Sequence, residues 1–126
     1  MTDKEQNSKG KTYDLEERTA EFGEDVILFL KSLNNNEINK VLIGQLCRSA
    51  TSIGANYMEA DAAGSKKDFI YKILLCKKES KESKHWLRMI AKANPEKMAD
   101  CQKLRQEAQE LTLIFSSIAS GKKKDK

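Results

Sequence analysis

Glu82 and His85 raise the first chemical possibility in this sequence, a metal centre. They stand in the order Glu-x-x-His, which two helices of a di-iron carboxylate bundle each supply. His85 is the only histidine of the chain, so the second copy of the motif is absent. We therefore expect no metal site and interpret His85 as an exposed or interfacial side chain.

Nucleophilic catalysis has no better support in the sequence. Cys47, Cys76 and Cys101 lack the Cys-x-x-Cys spacing of a redox or zinc motif. One histidine without special context does not indicate a Cys-His pair or a Ser-His-Asp triad. Phosphate loops of the type GxxxxGK[ST] are missing as well. We expect a protein that is not an enzyme and needs no cofactor, with its cysteines packed as small apolar side chains.

Basic residues gather on one face of residues 66–92. At 100° per residue, the cations of this basic stripe fall within about 80° of one another. The stripe consists of Lys66, Lys77, Lys81, Lys84, Arg88 and Lys92. No aromatic residue is interleaved with them, so the pattern predicts contacts to nucleic-acid phosphates and not base stacking. A solvated lysine face that serves solubility is the alternative interpretation.

A second candidate site consists of polar residues on the preceding stretch. Arg48, Ser52 and Glu59 follow one face of a helix, and Asn56 lies beside them. Glu82 lies on the neighbouring helix, on the face away from the lysines. We predict a polar network of these residues inside the bundle or at a subunit interface, where removal of Arg48 would cost about 3 to 5 kcal/mol. Ordinary solvated charges explain the same spacing equally well.

Four segments with a helical period must position these residues. Apolar side chains recur every three or four residues in each of them. The first predicted helix runs from about Tyr13 to Leu33, and the second begins near Glu37 and is ended by residues 62–64. The third follows Ser65, and the last begins at Pro95 and is stopped by Gly121. Asparagines at 34–36, Ser65 with Asp68, and Asn94 before Pro95 are helix-start signals, and Gly121 is a stop signal.

The chain as a whole has the size and composition of one helical domain. It has 126 residues, one proline, six glycines and 6% aromatic residues, which argues against an all-β fold. We predict an all-α fold, an antiparallel up-down-up-down four-helix bundle over residues 12–120. Flexible polar tails are predicted at 1–11 and, with a basic character, at 121–126. The sequence shows neither a membrane span nor a signal peptide, so we expect a cytoplasmic protein.

One string in the second helix resembles a known family. Residues 45–60 read QLCRSATSIGANYMEA. This is similar to the Gln-x-x-Arg-Ser-Ala-x-Ser-Ile-x-x-Asn-x-x-Glu pattern of four-helix bundle proteins encoded in intervening sequences of bacterial 23S ribosomal RNA genes. Lys67-Asp68-Phe69 and the set Glu82, Trp86, Leu87 resemble two later elements of that family. The resemblance covers residues 13–119.

The resemblance implies a non-enzymatic protein that assembles as a ring-shaped homopentamer, with no established activity for most members. Related bundles are accessory proteins of diversity-generating retroelements, which bind nucleic acid and a reverse transcriptase through a basic surface. Our leading prediction is therefore an oligomeric bundle that contacts an RNA or DNA backbone through the basic stripe. The alternative is a structural adaptor that binds a protein partner and no nucleic acid.

Overall fold

The computed structural model describes residues 14–121, which form four α-helices and a short 3₁₀ turn and contain no strand. The helices are α1 (Leu15–Lys31), α2 (Glu37–Asp61), α3 (Lys66–Ala93) and α4 (Met98–Ser120). The 3₁₀ turn Pro95–Lys97 leads into α4. This confirms the all-α prediction and the number of helices. The predicted tails lie outside the described residues, apart from Gly121.

Three of the predicted helix ends are capped as their sequences indicate. The Asn36 side chain accepts a hydrogen bond from the backbone N–H of Asn39 at 2.8 Å, and the Ser65 hydroxyl accepts one from Asp68 at 3.1 Å. Both satisfy backbone donors that the first turn of a helix leaves open. Gly121 follows α4 with a φ of 73°, a left-handed conformation that glycine adopts at little cost.

The end of α1 and the start of α4 differ from the sequence-based prediction. The first helix ends at Lys31, two residues early, because Ser32 closes it with a hydroxyl bond to the Phe29 carbonyl at 2.6 Å. Asn94 does not cap the last helix with its side chain. Its carboxamide instead exchanges two hydrogen bonds, at 2.9 and 3.0 Å, with that of Asn39, and both residues are buried. This pair ties the start of α2 to the end of α3.

The core follows the apolar period of each helix. Each helix packs against the next along the chain, and α1 also touches α4. The largest fully buried apolar side chains come from all four helices. They are Phe22, Val26, Leu46, Ile53, Ile73, Leu87, Ile90, Leu111 and Phe115. Ile38, in the first turn of α2, lies outside this core with 63% of its surface exposed.

Small residues bring α1 and α2 close together. A β-carbon built on Gly54 would contact the Thr19 hydroxyl oxygen at 3.5 Å, and one on Gly23 would contact the Ala50 carbonyl at 3.7 Å. These are ordinary van der Waals distances, so a methyl group would be in contact at either position, and α1 and α2 approach each other closely at Gly23 and Gly54.

The cysteines are packed as apolar side chains. Cys76 and Cys101 are buried, and Cys47 is partly exposed. Burial raises the pKa of the Cys76 thiol to about 12 and that of the Cys101 thiol to about 11. Both thiols are consequently protonated near neutral pH and lack the nucleophilic thiolate form.

Thiol labelling tests this packing. At pH 8 and without denaturant, a disulfide reagent should modify Cys47 first, because it is partly exposed whereas Cys76 and Cys101 are buried. Cys76 and Cys101 should react only when the protein opens, so all three thiols react quickly in denaturant. Rapid labelling of all three in the native protein would contradict the described core.

Candidate nucleic-acid interface

The basic stripe lies on the flank of α3 that borders α4. The core face of this helix carries Ile73, Ser80 and Leu87, which are fully buried. Lys81, Arg88 and Lys92 are exposed, whereas Lys77 and Lys84 are half-buried. The part from Lys77 to Lys92 spans 15 residues, about 22 Å of helix axis. It presents cations at intervals of one helical turn.

Lys66 stands apart from the rest of the stripe. It is exposed in the first turn of α3 and lies 11 residues, about 16 Å along the axis, before Lys77. Ile70 and Leu74 occupy the same flank between them. The continuous basic surface therefore begins at Lys77.

Within residues 14–121, carboxylates do not neutralise the charge of this surface. Among residues 14–121, no carboxylate pairs with Lys77, Lys81, Arg88 or Lys92. The two glutamates in the middle of α3 point to the other flank, where both bind Arg48 of α2. The helix therefore separates its charges, with acids toward α2 and free cations toward α4.

The predicted network around Arg48 is only partly assembled. Arg48 donates to Glu82 at 2.6 Å and to Glu79 at 3.3 Å, and the hydrogen bond to Glu82 is the main cause that raises the pKa of Arg48. Half of the Arg48 side chain remains exposed, so the cluster is a surface feature of the single chain. Glu59 lies three turns away and instead accepts a hydrogen bond from Lys72 at 2.7 Å.

The two uncharged members of the predicted network bind the backbone of their own helix. The Ser52 hydroxyl donates to the Arg48 carbonyl at 2.6 Å, and the Asn56 amide donates to the Ser52 carbonyl at 3.0 Å. Such hydrogen bonds to the preceding turn are common for these residue types inside helices. Neither side chain bridges to α3 through a hydrogen bond. Of the five predicted residues, the structure brings Arg48 and Glu82 together.

The most buried ion cluster was not predicted from the sequence. Arg18 of α1 holds Glu107 of α4 with two hydrogen bonds, at 2.7 and 2.9 Å, and Glu110 with a third at 2.7 Å. The hydrogen bond to Glu107 is the main cause that raises the pKa of Arg18. The signal in the sequence is that Arg18 lies between Leu15 and Phe22 at the spacing of the apolar stripe.

A polar cleft between α3 and α4 was also not predicted. It has a volume of about 420 Å³ and is lined by Lys84, Gln102, Arg105, Gln106 and Gln109. Lys84 turns into it from the basic stripe and donates a hydrogen bond to the Gln109 side-chain oxygen. Arg105 adds a second cation from α4, and its Nε is buried without an acceptor in the described part of the chain.

The residues considered for a metal centre lie in other interactions. Glu82 is held by Arg48, and the His85 ring meets the edge of Trp86 with 4.8 Å between centroids. Over residues 14–121, no group of three His, Cys, Asp or Glu side chains is arranged to hold a metal ion. The same residues include no helix with the length and apolar composition that a bilayer crossing requires.

Comparisons with known proteins agree with the four-helix arrangement. The family model described as 23S rRNA-intervening sequence protein matches residues 11–117. A crystal structure of a protein of unknown function, from the S23 ribosomal protein family of Bacteroides thetaiotaomicron VPI-5482, is similar with a TM-score of 0.79 and 29% identity. The match covers 87% of this chain and 98% of that one. No curated protein matches the sequence.

Proposed function

The chain belongs to the 23S rRNA-intervening sequence protein family, and from this premise we propose that it is a non-enzymatic, self-associating bundle that binds RNA phosphates. The binding surface is the basic stripe of α3 from Lys77 to Lys92. The observation that carries this proposal is the set of cations on that flank that pair with no carboxylate of residues 14–121, since both nearby glutamates are held by Arg48. Unpaired cations on one face release counterions from a polyanion when they bind it.

The stripe favours phosphate contacts over recognition of bases. Trp86, the aromatic residue nearest to these lysines in sequence, lies on the other flank of α3, with the acids. Without aromatic rings among the cations, bases cannot be stacked, and sequence preference should be weak. A DNA backbone carries the same charge, so competition between RNA and DNA of equal length measures any preference.

Self-association would multiply this surface. One chain has a net charge of +4, so the homopentamer that the family resemblance implies would carry +20. Several weak patches on one particle bind a long polyanion more tightly than one patch. Ile38 and Val41 of α2 support an association surface, because 63% and 64% of their surfaces are exposed. They lie on the helix face that also carries Arg48.

We also propose the antiparallel, up-down-up-down order for the four helices. Asn39 at the start of α2 meets Asn94 at the end of α3, and Glu59 near the end of α2 meets Lys72 near the start of α3. Both pairs support opposite directions for α2 and α3. The basic flank of α3 then lies along its whole length beside α4, on the outside of the bundle.

Light scattering during size-exclusion chromatography tests the association. We expect a mass near five times the 14.3 kDa of one chain. Val41→Glu should lower this mass, because a carboxylate would have to be buried at the contact. Leu113→Glu is a matched control on α4, at a side chain that is 58% exposed, and should leave the mass unchanged. A monomeric mass for the unaltered protein would contradict the proposal.

Filter retention of a labelled RNA oligonucleotide tests the binding. We expect retention at 50 mM salt and a steep loss of affinity on the way to 200 mM. Four phosphate contacts predict a roughly 50-fold decrease over this range for a single-stranded RNA. Failure to retain RNA at 50 mM salt would overturn the proposed function.

An adaptor that binds protein remains the second candidate, and one surface supports it. A groove of about 810 Å³ lies between α1 and α4, where Phe22, Phe29 and Leu104 line it together with acids such as Asp25 and Glu107. Such a groove suits a segment of a protein partner, and a reverse transcriptase is the partner that the family resemblance implies. The chain would be purified from cells to test this function. A bound protein in the preparation, together with a 260 to 280 nm absorbance ratio that shows no nucleic acid, would favour it.

A further inference from the structure

We propose that the cleft between α3 and α4 is a phosphate seat, a fixed site for one phosphate group of the RNA that the basic stripe binds. This inference rests on the proposed function and adds a defined site to it. Its key residues are Lys84 of α3 and Arg105 of α4, and Arg105 belongs to none of the sequence-predicted sites.

The residues that line the cleft suit an anion. Two of the five are cations, the other three are glutamines, and none is acidic. Its volume of about 420 Å³ falls within the range of small-molecule sites in proteins. The two cations attract an anion, and the amides of Gln102 and Gln109 add donors without adding negative charge, whereas the Gln106 amide already donates to Glu110 at 3.3 Å.

Several hydrogen-bond donors in the cleft are unused. The Lys84 ammonium uses one of its three N–H groups in the hydrogen bond to Gln109, which leaves two for another acceptor. The Arg105 guanidinium makes no ion pair with any residue of 14–121, and its Nε is buried without an acceptor. A buried donor without a partner is costly, whereas a phosphate oxygen accepts several charge-assisted bonds at once. A phosphate in the cleft would therefore meet donors of Lys84 and the terminal amino groups of Arg105, which no carboxylate of residues 14–121 binds.

The position of the cleft connects it to the stripe. Lys84 lies one turn after Lys81 and one turn before Arg88, both of which are exposed on the same flank. A strand that follows the stripe must therefore pass Lys84. The exposed lysines are mobile point charges, whereas Arg105 offers a planar fork that fixes the orientation of a phosphate. The cleft would set the position of the strand, and the stripe would supply most of the charge.

Nuclear magnetic resonance of the arginine Nε–H groups tests the seat in the unaltered protein. Inorganic phosphate and, separately, an oligouridylate are added to the full-length chain at constant ionic strength, with chloride as the reference anion. We expect both to shift the Arg105 Nε–H signal while chloride does not. The Arg18 signal, which belongs to a guanidinium already bound to two glutamates, is the internal control and should stay in place.

The results of these titrations distinguish a failure of the phosphate seat from a failure of the proposed function. Binding of the oligouridylate without a change at Arg105 would overturn the seat and leave the stripe as the binding surface. A shift with phosphate but no RNA binding would support a seat for free phosphate and overturn the proposed function. No shift with either anion would overturn the seat.

A variant gives an independent measurement of the same seat. Arg105→Gln should lower RNA affinity about fivefold at 100 mM salt, the effect of one lost phosphate contact on a single strand. Lys103→Gln removes an exposed charge from the other side of α4 and should change affinity by less than twofold. Equal affinity of Arg105→Gln and the unaltered protein would contradict the seat.

Discussion

Replacement of Arg18 by alanine is expected to lower the free energy of unfolding by about 3 kcal/mol, because it removes the cation from a largely buried ion cluster. Only 8% of the Arg18 side chain is exposed, and three hydrogen bonds join it to Glu107 and Glu110. Without the guanidinium, two carboxylates repel each other between α1 and α4. They are 31% and 50% exposed and regain some water, which keeps the loss at the lower end of the range for broken buried pairs.

Arg48→Ala is the matched control for this prediction. Both variants are made in the Val41→Glu background, because Arg48 lies on the proposed association face and would gain burial there. Arg48 also binds two glutamates, but half of its side chain is exposed in the single chain, so we expect a loss below about 1 kcal/mol. Urea unfolding followed by circular dichroism measures both variants at one protein concentration. Arg18→Lys keeps the charge without the planar fork and should fall between the two. Equal losses for Arg18→Ala and Arg48→Ala would contradict the difference in burial.

Removal of three exposed cations from the basic stripe is expected to lower RNA affinity about 100-fold at 100 mM salt. The variant combines Lys81→Gln, Lys92→Gln and Arg88→Gln. Each lost contact with a single-stranded phosphate backbone removes about 0.7 of a log unit from the affinity at this salt concentration. The three side chains are exposed and make no ion pair within residues 14–121, so the fold should not be affected.

The control variant carries the same change of charge on other helices. Lys31, Lys40 and Lys103 are exposed on α1, α2 and α4, and all three are replaced by glutamine. If net charge alone drives binding, both triple variants lose the same affinity, and the proposal for the stripe fails. If the stripe is the binding surface, the control loses less than tenfold. Electrophoretic mobility shift assays with one oligonucleotide compare the two.

Most of the fold could be predicted because it depends on local rules. The three- and four-residue spacing of apolar side chains defines four helices, and short polar side chains at Asn36 and Ser65 define where two of them begin. The Asn94 interaction could not be predicted, since its partner Asn39 lies 55 residues away. An asparagine suits both a helix cap and an amide pair with a distant asparagine. Only the packing of α2 against α3 decides which of these two interactions Asn94 makes.

The charged sites were less predictable for the same reason. Spacing within one helix shows which charges share a face, and it placed the acids and the lysines of α3 on different flanks. It does not show the partner across the bundle, which for Arg18 lies 89 residues away in sequence. Large stability effects were therefore expected at Arg48, whereas the structure places the buried cluster at Arg18. The cleft at Arg105 was missed because it also needs Lys84, which belongs to another helix.

The salt dependence of RNA binding tests the central claim most directly, because its slope counts phosphate contacts. A plot of log affinity against log salt concentration is measured for the unaltered protein and for the variant that lacks Lys81, Arg88 and Lys92. For a single-stranded RNA, we predict a slope about 2 units less steep in the variant, since three contacts are lost. Equal slopes for the two proteins would show that these residues do not meet phosphates and would contradict the proposed function.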